Sequence, residues 1–327
     1  REVGAAIKGV QLGWFVVAQV FIVLSLVLRV QRWSYIVRTA KKVSFRAMFS
    51  ATQIGFLANF TLPARIGEVI RAVVLARLAQ LPFTKCFAMV ALDRVTDLFG
   101  LVAVMLVALF AFVPPEIMSI PAETFGTEGP VVLPGRDVTI AEYVAIFVLV
   151  AVVGALVLLY VSKALALRIS DRVAGMISEK LAAKLHDALE HFADGLHIFR
   201  CPTDMAKSIV FSLLTWGCFV ASAYASLWAF HMQFPWYAPF VMQALLAVAV
   251  SVPGAPGFVG QFHIPIVLSI VTLVPDATPD EAKAVAIVVH LINLFWIALI
   301  GVYCLFREKM GSARLAEEGT LARERIE

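Results

Sequence analysis

The sequence predicts an all-α polytopic membrane protein. Hydrophobic residues make up 61% of the 327 residues and charged residues only 15%, and the mean hydropathy is +0.88. Soluble domains have about 45–50% apolar and about 25% charged residues, so this composition argues against a soluble α/β enzyme. The apolar residues form continuous blocks of membrane-spanning length, whereas the strands of a β-barrel would alternate apolar and polar residues.

The first part of the chain predicts a span, an interrupted hairpin and a second span. Residues 12–28 form the first span, and residues 86–113 form the second. Between them, residues 47–62 and 63–81 are two short apolar arms around Pro63, which predicts a re-entrant hairpin that enters the membrane and returns. Two full crossings would give the same orientation. Basic residues that follow the first span place their loop in the cytoplasm, namely Arg29, Arg32, Arg38, Lys41, Lys42 and Arg46.

The middle of the chain predicts an outer loop, a returning span and a cytoplasmic insert. Residues 114–142 are rich in Pro, Gly and acidic residues, as expected outside the cell, and residues 143–161 return inward. Residues 163–206 have apolar positions at helical spacing with charges on the other face. This insert is predicted to be an amphipathic helix that lies either on the cytoplasmic membrane surface or against the underside of the bundle.

The last part of the chain repeats the element order of the first. Residues 208–230 cross outward, residues 239–250 enter, the helix breaks at residues 251–260, and the apolar stretch continues to residue 274. Residues 284–306 form the last span, and residues 307–327 form a charged cytoplasmic tail that is expected to fray from Gly311.

Two halves with the same elements in opposite orientation predict an inverted-topology repeat with two broken, re-entrant helical hairpins. The integral membrane domain is thus predicted to cover residues 1–306. This prediction depends on element order and orientation, because the two halves show no readable sequence identity.

Charged residues around the first break predict an anion-binding site. Arg65, Glu68 and Arg71 are three residues apart and would share one helical face. Each charge at membrane depth costs about 2.5–3.5 kcal/mol on insertion scales, so such residues favour a functional site. Pro63 and Gly67 break the helix here, and the N–H groups of a half-helix beginning at Pro63 favour negative charge. A self-neutralising ion triad that only holds the hairpin is the alternative.

Asp93, Arg94 and Asp97 follow in the next span and are included in the predicted substrate-binding set. The two carboxylates are four residues apart on one helical face. They are predicted either to counter the preceding arginines or to ligate a cation. Asn59, just before the first break, is predicted to satisfy freed backbone groups and is also included in that set.

The second break predicts unwound backbone that acts as a gate. Such backbone is tolerated at membrane depth only where it is buried in protein or lines a cavity, and a plain kink is the alternative. Its residues combine conformational freedom with the loss of helical hydrogen bonds: Ser251, Pro253, Gly254, Pro256, Gly257 and Gly260.

Three polar residues near the second break are candidates for a proton-sensitive site. His263 follows the break, and His290 and Asn293 lie three apart in the last span. Two histidines that meet can respond to protonation, whereas a packing role is the alternative. No third zinc ligand is apparent, so no metal and no cofactor is predicted. Nucleic acid is not an expected partner, because the basic residues stand beside apolar spans, which suits topology and anionic lipid.

Four motifs resemble the membrane region of the lysylphosphatidylglycerol synthase family, also called flippase-like domain proteins. They are RVQRW at 29–33, NFTLPARIGEVIR at 59–71, DRVTD at 93–97 and PGAPGFVG at 253–260. The likeness runs from about residue 13 to 306. The resemblance also implies a further span ahead of residue 12. It implies a glycine where Phe258 stands, an acidic residue where His263 stands and an arginine where His290 stands.

The resemblance implies a multi-pass protein of the cell's inner membrane that moves a lipid between leaflets. The expected cargo is an anionic or aminoacylated phospholipid, or a polyprenyl-phosphate-linked glycolipid. Two alternatives remain open: a membrane-embedded lipid-phosphate transferase or phosphatase that uses Asp93 and Asp97, and a non-catalytic scaffold for a glycosyltransferase. A lipid-modifying enzyme partner and self-association into a homo-oligomer also stay open.

Overall fold

The computed structural model describes residues 9–62, 66–125, 128–175, 178, 202–252 and 254–324, and most of them are helical. The elements, in chain order, are α1 (Leu12–Val37), α2 (Phe45–Thr61), α3 (Gly67–Ala79), α4 (Phe83–Ala111), β1 (Ile117–Ile120), α5 (Ala122–Phe125), β2 (Val131–Pro134), α6 (Gly135–Val161), α7 (Lys163–Gly175), α8 (Pro202–Ala229), α9 (Ala238–Ser251), α10 (His263–Leu273) and α11 (Pro279–Glu324).

Five stretches among the described residues are long and apolar enough to cross a bilayer: Leu12–Val37, Phe83–Ala111, Pro202–Ala229, Pro256–Leu273 and Pro279–Lys309. Large apolar side chains point outward from them; Phe110 is 81% exposed and Leu291 is 56% exposed. Contiguous apolar surface of this kind requires lipid rather than water around the protein. The prediction of a helical multi-pass membrane protein is confirmed, and the orientation of the two halves in the bilayer stays a prediction.

Helix α1 is longer than the predicted span, which corrects the assignment of its basic residues. Trp33, Ile36 and Val37 are fully buried, so the helix continues beyond residue 28 because it still has an apolar face to cover. Arg29 and Arg32 therefore lie within a helix and not in the predicted cytoplasmic loop.

Helices α2 and α3 pack closely on one another at glycines. A Cβ on Gly67 would overlap the carbonyl oxygen of Gly55, and a Cβ on Gly55 would lie 2.8 Å from the Cβ of Arg71. Only hydrogen at these positions allows the two backbones to approach this closely. Helix α3 begins at Gly67, not at Pro63 as predicted, and residues 63–65 lie outside the described ranges.

The predicted outer loop contains regular structure that its Pro and Gly content did not suggest. Strands β1 and β2 form an antiparallel hairpin in which Ile117 pairs with Pro134 and Ile120 with Val131. Met118 and Ile120 are buried, so one face of the hairpin covers the helices beneath it, as expected for a two-stranded sheet.

The second half also differs from its predicted boundaries. Helix α8 begins at Pro202, so residues 202–206 belong to a spanning helix and not to the cytoplasmic insert. Asp204 there forms an ion pair with Arg38, the residue that follows α1. Helix α7 is the described part of that insert, and residues 176, 177 and 179–201 lie outside the described ranges. Helix α11 continues to Glu324, and the expectation that the tail frays from Gly311 stays a prediction.

Buried apolar side chains form three clusters around the centre of the molecule. One joins α1–α4 around Trp33 and Met89, a second joins α4, α8 and α9 around Trp216, and a third joins α8, α10 and α11 around Ile266. Helix α1 packs along α8, which brings the two halves of the chain together. The space left between these clusters is the cavity described next.

Candidate functional site

A cavity of about 430 Å³ lies between the two helix breaks. Residues from α1–α4 and α8–α11 line it, and most of its wall is apolar. Apolar residues of this wall include Ile22, Leu26, Leu98, Leu101, Phe219, Met242, Leu246, Val250, Phe262, Ile266, Val289 and Ile297. A pocket of this size is typical of a small-molecule or lipid-binding site.

Four charged side chains gather in one part of the cavity wall. They are Arg29 from α1, Glu68 from α3, and Arg94 and Asp97 from α4. Glu68 and Arg94 form an ion pair of 2.8 Å, and each is about one-third exposed. Because three separate helices contribute these charges, the tertiary fold assembles this charged end from distant parts of the sequence.

Arg29 is held differently from the other arginines of this region. Its guanidinium carbon lies 5.3 Å from the ring centre of Phe56 and 4.9 Å from that of Phe219. These contacts are cation–π interactions. Its Nε is buried without a hydrogen-bond partner, as are Nε and Nη2 of Arg71. Unlike Arg71, Arg29 forms no ion pair with a carboxylate of the described residues. The sequence placed Arg29 in a topology-setting loop, so its position in the cavity was missed.

A buried ion network lies behind the charged end. Asp93 accepts from Arg32 Nε at 2.9 Å and from Arg71 Nη1 at 2.7 Å, and Asp97 accepts from Arg32 Nη1. The Arg71 guanidinium also lies 3.7 Å from the ring centre of Trp33. Buried charges require such pairing to offset desolvation.

The network divides the predicted substrate-binding set. Glu68, Arg94 and Asp97 reach the cavity, whereas Arg71 and Asp93 do not line it and are 2% and 1% exposed. They form a buried ion network in which Asp93 counters Arg32 and Arg71, and their place in the binding set stays a prediction. Arg65 lies outside the described residues.

The hydrogen bonds of Asp93 and Asp97 disfavour the metal-binding role that a transferase or phosphatase would give them. Both carboxylate oxygens of Asp93 accept hydrogen bonds from arginines. Asp97 Oδ1 accepts from Arg32 and, at 3.3 Å, from Trp216 Nε1. Oxygens committed to buried cations in this way are poorly placed to ligate a metal ion as well.

Asn59 caps the first break. Its Oδ1 accepts a hydrogen bond from the backbone N–H of Gly67 at 2.8 Å, and its side chain also lines the cavity. The prediction that this amide satisfies a freed backbone group is confirmed. The cap occupies the first N–H of α3, one of the groups expected from sequence to favour an anion.

The second break contains one 3-10 turn, Pro256–Phe258, and its backbone is left-handed at several positions. Gly257 and Gly260 have φ of +73° and +83°, and Phe258 has φ of +55°. The left-handed region favours glycine, yet Phe258 is buried and packs edge-to-face on Phe60 of α2 at 5.0 Å. This ring contact joins the two breaks directly.

Gln261 holds the second break from one side, and no sequence pattern predicted this role. Its Nε2 donates to the carbonyl oxygens of Ala249 at 3.0 Å and Val252 at 2.7 Å, at the C-terminal end of α9. The side chain fills the space that a Cβ on Gly254 would need. Ser251 lines the cavity and donates to Ala247 within its own helix at 2.6 Å, and Pro253 lies outside the described ranges.

His263 and His290 meet, as predicted, and their bonds define one arrangement of protons. Gly260 N–H donates to His263 Nδ1 at 3.3 Å, so His263 carries its proton on Nε2. That Nε2 lies 3.2 Å from His290 Nδ1, which must accept, and His290 Nε2 then donates to the Gly257 carbonyl at 2.7 Å. A proton added to either ring would place two donors against each other and break one of these bonds.

Asn293 does not join the histidine pair. Its Nδ2 donates to the carbonyl of Val289 at 2.8 Å within α11, and its side chain lines the cavity. Phe262 stacks on the His290 ring at 4.7 Å and forms part of the cavity wall. The histidine pair therefore stands behind the wall, separated from the cavity by this aromatic ring.

Comparison with known proteins points to a membrane family associated with lipids. A family model described as the lysylphosphatidylglycerol synthase TM region matches residues 1–301. A curated protein of Haloferax volcanii, Glycosyltransferase AglD, is 28% identical over 323 residues, which cover 94% of this chain and 51% of that protein. The chain thus spans about half the length of this relative. No solved structure matches.

Proposed function

This chain belongs to the family of the lysylphosphatidylglycerol synthase TM region, and from that premise we propose that it moves a lipid between membrane leaflets. The cargo is an anionic or aminoacylated phospholipid, or a polyprenyl-phosphate-linked glycolipid. The protein then acts as a transporter rather than as an enzyme, in the inner membrane of the cell.

The cavity is the observation that carries this proposal. Its wall is apolar over most of its extent and charged where Arg29, Glu68, Arg94 and Asp97 meet. A lipid has the same division between acyl chains and polar head group. A charged group that a lipid carries across the bilayer needs such an internal polar site, since charge in hydrocarbon is costly.

The two breaks supply the gates in this proposal. The first break lies between the end of α2 at Thr61 and the start of α3 at Gly67, and the second lies between the end of α9 at Ser251 and the start of α10 at His263. Residues beside both breaks line the cavity. We place the first on the cytoplasmic side and the second on the outer side, as an inverted repeat of re-entrant hairpins requires. Movement of one hairpin against the other at Phe60 and Phe258 then exposes the cavity to each leaflet in turn.

Lipid movement can be measured after reconstitution of the full chain into vesicles that contain a head-group-labelled phosphatidylglycerol. Wild-type protein should speed exchange of the label between leaflets. Ala247→Trp places a large ring in the cavity wall and should lower the rate to that of protein-free vesicles. Val248→Trp is the matched control, because Val248 lies outside the cavity lining and is 46% exposed. Equal rates for the two variants would rule out passage through this cavity.

A second candidate function is that of a membrane partner for glycosyl transfer. The relative named Glycosyltransferase AglD is matched over only 51% of its length, which favours cooperation between this kind of membrane region and a glycosyltransferase. Purification in mild detergent should then yield transfer of sugar to a polyprenyl-phosphate acceptor, and the same preparation should move no lipid in vesicles. Lipid movement without glycosyl transfer would favour the translocase.

A further inference from the structure

We propose that Arg29 is the residue that binds the phosphate of the cargo, and that the ligand of this cavity is a lipid with a phosphodiester of single negative charge. This inference rests on the proposed function, because it takes the cavity to be the path of the lipid. It assigns the head-group contact to a residue outside the arginines of the first break.

The charge balance of the described residues singles out Arg29. Four arginines gather at this end of the cavity, Arg29, Arg32, Arg71 and Arg94, against three carboxylates, Glu68, Asp93 and Asp97. Each arginine except Arg29 lies in an ion pair with at least one of these carboxylates. The described cluster thus has one positive charge in excess, and that charge lies in the cavity wall.

The aromatic contacts of Arg29 hold its guanidinium in a binding orientation. Phe56 and Phe219 contact it from α2 and α8 at 5.3 Å and 4.9 Å. Phenyl rings stabilise a cation without using its N–H groups, so the hydrogen-bonding edge stays available. The buried, unpartnered Nε is a donor that a ligand oxygen would satisfy.

A phosphodiester fits both the geometry and the charge of this edge. Arginine donates two parallel hydrogen bonds to a pair of phosphate oxygens. A diester carries one negative charge and therefore balances the single excess charge, whereas a terminal phosphate or diphosphate brings more. The substituents of a lipid diester continue in two directions, and Leu98 and Leu246 belong to the apolar wall that suits the acyl chains.

Binding to the full chain in detergent tests the assignment separately from transport. The probes are phosphatidylglycerol and a neutral galactosyl diacylglycerol with the same acyl chains. Wild-type protein should prefer phosphatidylglycerol, and Arg29→Gln should weaken that binding by about tenfold or more, as expected for a lost charge-assisted pair of hydrogen bonds. The affinity of Arg29→Lys for phosphatidylglycerol should lie between those of the wild type and Arg29→Gln, because lysine keeps the charge but lacks the planar guanidinium.

Arg77→Gln provides the control for the loss of one positive charge. Arg77 is exposed in the last turn of α3 and does not line the cavity, so this variant should bind phosphatidylglycerol as the wild type does. Equal affinities of Arg29→Gln and Arg77→Gln, or equal binding of the two lipids by the wild type, would overturn the inference.

A competition arm distinguishes a lipid from a soluble anion. Inorganic phosphate and glycerol phosphate should not displace phosphatidylglycerol at comparable concentrations, since they lack the acyl chains that the apolar wall accommodates; displacement would overturn the lipid assignment. Normal lipid binding by Arg29→Gln beside blocked transport in Ala247→Trp would reject this inference and leave the proposed function standing. Selective binding through Arg29 in a chain that moves no lipid would support this inference and reject the proposed function.

Discussion

The two helix breaks that flank the cavity are held in different ways. Around the first, formal charges predominate: Glu68 pairs with Arg94 at the cavity, and Arg71 pairs with Asp93 behind it. Around the second, neutral groups predominate, and the backbone takes left-handed conformations that the histidine pair and Gln261 fasten. The rings of Phe60 and Phe258 bring the two breaks into contact.

This difference implies that the two breaks need different amounts of free energy to rearrange. A buried ion pair that loses one partner leaves an uncompensated charge, so the region behind the first break resists rearrangement. A neutral hydrogen bond contributes about 0.5–1.5 kcal/mol, and the second break is fastened by a few such bonds. We therefore expect the second break to rearrange first when a lipid passes.

The largest effect is expected from Asp93→Asn, which breaks the buried network. Arg71 loses its carboxylate partner, and Arg32 keeps only Asp97. Loss of one member of a buried ion pair costs about 3–5 kcal/mol. Thermal unfolding of the detergent-solubilised variant should show a large decrease in Tm.

Glu68→Gln tests whether burial or charge alone sets that cost. Glu68 and Arg94 are about one-third exposed, and such pairs contribute about 0–1 kcal/mol because solvent screens them. Its Tm should stay close to that of the wild type. Similar losses for Asp93→Asn and Glu68→Gln would remove the distinction between a buried support and a cavity-lining pair.

The fold was predictable because the bilayer imposes length and hydropathy on each helix. Pro63 and the glycines of residues 254–260 identified both breaks. Helix ends were less predictable, since α1 continues past residue 28 to cover Trp33. Hydropathy alone cannot distinguish an arginine that follows a span from an arginine that forms a buried ion pair within it. The β-hairpin of the outer loop gave no signal because its strands are only four residues long.

The candidate site was half predictable from sequence. Glu68, Arg94 and Asp97 were identified because charge in an apolar block requires a reason. Arg29 was missed, because its role depends on Phe56 and Phe219, which come from helices that no local pattern relates to it. For the same reason the burial of Arg71 and Asp93 could not be separated from exposure to the cavity before the fold was known.

A smaller effect is expected from Gly67→Ala, which tests why the first break needs glycine. The new Cβ would overlap the Gly55 carbonyl and the Asn59 side chain; overpacking costs about 1–3 kcal/mol, and a lost cap adds about 1 kcal/mol. Gly260→Ala is the control from the second break, where a Cβ meets nothing within 4 Å and only φ of +83° opposes it. Gly67→Ala should lower Tm more. The reverse order would mean that space is not the constraint at the first break.

A modest effect on stability is expected from His290→Phe, which concerns how the second break is fastened. Phenylalanine keeps the stacking on Phe262 but can neither accept from His263 nor donate to the Gly257 carbonyl. Two partly buried groups lose their partner, at about 1 kcal/mol each. A modest decrease in Tm should therefore accompany faster hydrogen exchange at the amides of residues 257–262, because those bonds hold the unwound backbone.

His231→Phe is the matched control, since His231 contacts the Gly9 carbonyl away from both breaks. This variant should leave the exchange at residues 257–262 unchanged. If His290→Phe lowered Tm as much as Asp93→Asn, or left exchange at residues 257–262 unaltered, the second break would not be the more weakly fastened of the two.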